Sequence, residues 1–73
     1  MALSPLPDHW LPGFNFNVEL WDAEGLHYET LAICRTIALA RAAFEVAVTE
    51  KPAGLFTIRQ RTRVVRRHPE GNW

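Results

Sequence analysis

With one cysteine, Cys34, among 73 residues, the chain cannot close an internal disulfide, and no second thiol stands at a metal-ligand spacing. A reducing, cytoplasmic compartment is the expectation. Nowhere is there the run of roughly 18 apolar residues that a membrane span requires. The first residues, "MALSPLPDHW", have no basic start and no sustained apolar stretch, so no export signal and no membrane contact are expected. Also missing are a glycine-rich phosphate loop, a Ser/His/Asp spacing and an acid pair in an apolar setting. Without such a constellation no enzyme and no cofactor are expected.

Apolar residues make up 48% of the chain and charged residues 22%, ordinary values for a globular domain. A chain of this length buries only about 60% of its unfolded surface, enough for a single thin core. The net charge of zero is divided unevenly. Residues 1–50 hold seven acids against Arg35 and Arg41, a net of −5; residues 51–73 hold Lys51 and five arginines against Glu70, a net of +5. Such asymmetry points either to a polyanionic partner or to two chain halves that neutralise each other on folding.

Periodicity predicts four strands and a helix. Residues 1–13 carry Pro5, Pro7 and Pro12 and read as an irregular arm pinned by Trp10 and Leu11. From 14 to 21, Phe14, Phe16, Val18 and Leu20 alternate with Asn15, Asn17, Glu19 and Trp21, the signature of a half-buried strand. "DAEG" at 22–25 supplies turn chemistry, with Asp22 able to bond the following backbone and Gly25 able to take positive φ. The second strand, 27–33, is expected in a register that sets Trp21 against Tyr28, Val18 against Leu31 and Phe16 against Ile33. A slip of one residue would turn Leu31 and Ile33 to solvent.

Thr36 is the expected N-cap of a helix over 36–51. Its buried face is Ile37, Ala40, Phe44, Ala47 and Val48, and Pro52 and Gly54 end it. "LFTIR" (55–59) and "RVVRR" (63–67) then form a hairpin through Gln60, Arg61 and Thr62, with Ile58 opposite Val64. Residues 68–73 read as a loose tail. The expectation is an α+β domain over 14–67, ββαββ, with one four-stranded sheet on one helix. The β-grasp order, in which the first and last strands are parallel neighbours, is the nearest analogy, and it carries no function.

The segments "NVELWD", "ETLA", "ARAAF", Pro52 and "TIRQRTRVVRR" resemble a group of small, uncharacterised bacterial proteins, chiefly proteobacterial. Their pattern runs strand, turn, strand, Ala-Phe helix and a last strand of "RVI" type. The resemblance spans 14–67 and implies a fold but no activity. Where that group carries a glycine in the last turn, this chain has Arg61 and Thr62.

Two surfaces are candidates for function. The stretch "TIRQRTRVVRRH" holds five arginines, Arg59, Arg61, Arg63, Arg66 and Arg67, in twelve residues, enough basic charge to track a nucleic-acid backbone. Aromatics for base stacking are missing from it. In the β-grasp order Glu19 would pair across to Arg63 or Arg67, and a neutralised solvent face is the leading reading. Trp21 and Tyr28, on the sheet face away from the helix beside Val65, have the composition of a protein interface, though a cross-strand aromatic pair can also be purely structural. His9, His27 and His68 lack the spacing of metal ligands. Cys34 is either a thiolate activated by the helix N-terminus and Arg35 or a small buried hydrophobe. The sequence therefore favours a small interaction or assembly module, joined to itself as a homodimer or to another protein, over a nucleic-acid binder, and both over an enzyme.

Overall fold

The computed structural model describes residues 15–71, and the expected N-terminal arm lies outside them. Five elements follow in order: β1 (Phe16–Trp21), β2 (Tyr28–Cys34), α1 (Ile37–Glu50), β3 (Leu55–Gln60) and β4 (Arg63–His68). They form one antiparallel four-stranded sheet with the helix on one face, the ββαββ layout expected.

Local chemistry explains the element boundaries. Asp22 Oδ1 accepts from the Leu26 amide at 3.0 Å and Gly25 sits at φ 70°, so the first turn closes as its residues predict. The Asp22 carboxyl is held below its ordinary pKa chiefly by that Leu26 bond, against a smaller opposing effect of burial. Thr36 caps the helix, its hydroxyl accepting from the Leu39 amide at 3.1 Å. At the other end the Lys51 amide bonds the Ala47 carbonyl before Pro52.

The strand order is β2-β1-β3-β4, which corrects the β-grasp analogy. β1 pairs antiparallel with β3, not parallel with β4. A central strand is covered on both flanks and must bury more apolar surface. β3 brings Phe56 and Ile58, both fully buried, whereas β4 brings three arginines and takes an edge. Helix α1 thus carries the chain across β1, from the β2 edge to β3.

Two bulges reset the registers. Trp21 faces Tyr28 as expected, but Leu31 is an extra residue between the pairs Glu19–Thr30 and Val18–Ala32. Phe16 consequently faces Cys34, and Asn17 faces Ile33. One inserted residue inverts the alternation beyond it. Ala32 and Cys34 now pack on the core, while Leu31 and Ile33 are exposed, the outcome that the expected register was meant to avoid. In the second hairpin Val65 is the extra residue, so Ile58 faces Arg66 and Val64 faces Arg59. His68 belongs to β4 rather than to a tail: its ring lies 6.3 Å from that of Phe56, and its Nε2 is 2.9 Å from the Pro52 carbonyl oxygen.

The core is Val18, Ala40, Phe44, Phe56 and Ile58, with Phe16, Leu20, Ile37, Ala47 and Val48 packed against it. Phe44 meets Phe56 edge to face, centroids 6.5 Å apart, the favoured geometry for an aromatic pair. The turn joining β3 and β4 is tighter than expected, with Gln60 facing Arg63 and only Arg61 and Thr62 between them. Arg61 takes φ 54°, a region costly to a residue with a Cβ. Arg61→Gly is expected to raise stability by about 0.5–1 kcal/mol, the relieved strain exceeding glycine's greater unfolded-state entropy. Urea denaturation checks this, and an unchanged or lower midpoint counts against it.

Candidate interaction surface

On the sheet face away from the helix, the predicted aromatic pair sits over a buried polar cluster. Alternation places Glu19 and Trp21 of β1 beside Thr57 and Arg59 of β3. Glu19 is completely buried, although among the described residues no second layer of secondary structure covers this face. Its Oε1 accepts from the Thr57 hydroxyl at 3.1 Å and its Oε2 from Arg59 Nη2 at 2.8 Å. Thr57 Oγ1 in turn accepts from Trp21 Nε1 at 2.9 Å. The Arg59 guanidinium lies 4.5 Å from the Tyr28 ring centroid and 5.8 Å from that of Trp21, so it reaches across the carboxylate toward the rings. Trp21 and Tyr28 are themselves in contact, centroids 4.8 Å apart.

Burial works to lower the pKa of Arg59, and the hydrogen bond and charge of Glu19, with a smaller contribution from Tyr28, more than offset it and leave it raised. The cluster is a neutralised ion pair under an aromatic cover. Its carboxylate is occupied on both oxygens, which suits a structural anchor better than a proton-transfer group.

The arginines do not form one surface. Arg59 is committed to Glu19, in place of the expected Arg63 or Arg67. Arg66 lies on the helix side, 4.8 Å over the Phe44 ring, and bridges Glu45 at 2.8 Å. Arg67, opposite Thr57, donates through Nη1 to the Gly71 carbonyl. Arg61 forms the turn, and Arg63 is exposed at the far end of β4. A ribbon continuous in sequence is thus divided between two faces and a turn, and acids from β1 and α1 neutralise two of its members.

Val65 does not join Trp21 and Tyr28. It lies on β4, at the edge opposite β2. Its neighbour Val64 instead lines a cleft of about 160 Å³ with Trp21, Gly25, Thr57 and Arg67. Cys34 packs against the core at the end of β2. No group of three His, Cys, Asp or Glu side chains that could hold a metal ion is found among the described residues. No helix there is long and apolar enough to cross a membrane.

The two flanks of the helix differ. On the β4 flank, Arg66 lies against Phe44 and Glu45. On the β2 flank the small side chains of Ala32, Ala43 and Ala47 leave an open groove of about 400 Å³, bounded by Leu31, Val46 and Glu50. Ile33, 66% exposed, is on the same strand as Leu31 but opposite Asn17, on the face away from the helix. The groove follows from the bulge at Leu31, which sequence periodicity does not reveal. The helical half of it was legible: Ala43, Val46 and Glu50 recur at spacings of three and four, a second stripe beside the core-facing one. No protein-family model, curated protein or solved structure matches this chain.

Proposed function

We propose that this is a small, non-enzymatic, cytoplasmic interaction module that associates with a second copy of itself. The observation that carries this reading is the apolar β2 flank, where Leu31 and Val46 stand exposed around the alanine-floored groove. Contiguous exposed apolar surface of this kind marks interaction sites on small proteins. It is favoured over the Trp21–Tyr28 face, because there Arg59 already occupies the ring faces and Glu19 neutralises the charge. The bulge at Leu31 disrupts the β2 edge as a template for strand addition, so side chains of the flank, rather than an extended ladder, are the expected contact.

Sedimentation of the chain from micromolar to millimolar concentration tests the proposal, and a dimer within that range is expected. A monomer throughout rejects self-association. Titration with mixed oligonucleotides near physiological salt addresses the competing nucleic-acid reading. Weak binding is expected. Micromolar or tighter binding that is lost in Arg63→Ala with Arg67→Ala would put the nucleic-acid reading first.

A further inference from the structure

The sheet face away from the helix is shielded on one side only. Glu19 and Thr57, in the middle of it, are 0% and 3% exposed, and Val64 and Arg67 on the edge strand β4 are half-buried. Tyr28, Thr30 and Ile33, which face Trp21, Glu19 and Asn17 from β2, are exposed. Arg59 closes over the Glu19 carboxylate, yet its own Nε is buried, as is that of Arg67. Among the described residues no element lies above β1, β3 and β4 on this face, and the bare face of a single-layer sheet leaves such groups in water.

We infer that residues 1–14 lie across this face, over β1, β3 and β4, as a strap that leaves β2 open. The inference is independent of self-association. β1 begins at Phe16, and Asn17 faces Arg59, so the preceding chain arrives at the end of the face where Arg59 is covered. Pro12 and Gly13 form a turn dipeptide that can fold the chain back onto the face. β1 spans six residues, about 20 Å. Fourteen residues precede Asn15, and at about 3.3 Å each they reach twice that far.

The composition of the segment suits this seat. Leu3, Leu6, Trp10 and Leu11 supply apolar surface, while Asp8 is its one acid and it has no lysine or arginine. Pro5, Pro7 and Pro12 remove donors that a fifth strand would need, so the segment lies on the face rather than extending an edge. The face itself sets Arg59 and Arg67 against Glu19, one positive charge in excess, which Asp8 matches. Apolar side chains above Arg59 also exclude water from its bond to Glu19 and strengthen it.

Proton NMR of the full chain tests the strap directly. Nuclear Overhauser contacts are expected between the Trp10 indole and the side chains of Thr57, Arg59 or Val64, and within one molecule when labelled and unlabelled chains are mixed. Exchange of the Arg59 Nε proton with water is expected to be slow in the parent. In Trp10→Ala with Leu11→Ala it should become about tenfold faster or more, while the Ile58 amide in the core keeps its protection and circular dichroism shows the helix intact. The contacts are read on the parent, so they decide the matter even where the double variant unfolds. An Arg59 proton that exchanges freely in the parent, or a slow one indifferent to both changes, overturns the inference. Contacts of residues 1–14 with the helix flank in place of this face overturn it as well. Contacts found only between copies seat the segment on a neighbouring molecule, which overturns the strap while self-association stands.

Discussion

Phe44→Ala is expected to leave the domain largely unfolded at room temperature. Phe44 is fully buried, on the helical turn that faces the centre of the sheet, with its ring edge against Phe56 and the Arg66 guanidinium over its face. Truncating a buried phenylalanine costs about 3–5 kcal/mol, the lost transfer energy plus the cavity left behind. Small domains rest on margins near 5 kcal/mol, and among the described residues one core cluster carries the fold. Thermal denaturation followed by circular dichroism reads the result. A variant melting within a degree or two of the parent removes Phe44 from the core and with it the present account of helix packing.

Glu19→Ala is expected to destabilise by about 3 kcal/mol, toward the lower end for breaking a buried ion pair. The carboxylate is fully buried, but the Arg59 side chain keeps 22% of its surface exposed and can turn to water once its partner is gone. The cost then falls mainly on Thr57, 3% exposed, whose hydroxyl loses its acceptor and keeps only the bond from Trp21. Glu19→Gln retains an acceptor for Thr57 and removes the charge, so a smaller loss of about 1–2 kcal/mol is expected. Replacing Glu19 and Arg59 together with leucine should recover the part of the deficit that comes from the unpaired charge, while the Thr57 hydroxyl stays without its acceptor. Urea denaturation of Glu19→Leu, Arg59→Leu and the double forms a cycle. Losses that simply add, with no recovery in the double, contradict the pairing as the source of the effect.

The same ion pair answers the question raised by the arginine ribbon. Five arginines within twelve residues read as one surface only if all their side chains share a face, and the adjacent Arg66 and Arg67 point to opposite faces in any strand. The two-residue turn and the bulge at Val65 set Arg63 opposite Gln60 and Arg66 opposite Ile58, on the helix side, while Arg59 and Arg67 lie on the other. The acids that meet them, Glu19 and Glu45, come from β1 and α1, so the uneven charge of the two chain halves is in part cancelled on folding.

Much of this architecture is written in local chemistry that any reader of the sequence can follow. Alternation over Phe16–Trp21, the Asp22–Gly25 turn, the Thr36 cap, the Phe44 face and the Pro52 stop each depend on neighbours within a few residues. Such preferences operate before the chain is compact, so they fixed the element order ββαββ, the Trp21–Tyr28 pair and the helical core face. The second helical stripe, Ala43 to Glu50, follows from spacing in the same way as the first. Tertiary structure alone decided that β3 rather than β4 lies beside β1, that Leu31 and Val65 bulge, and that Arg59 closes over Glu19. Those choices are set by competition among whole strands for central, doubly covered positions. A single inserted residue inverts every side chain beyond it while leaving composition and approximate periodicity unchanged. The β2 flank, bounded on one side by such a bulge, therefore takes shape only when the sheet and helix are assembled.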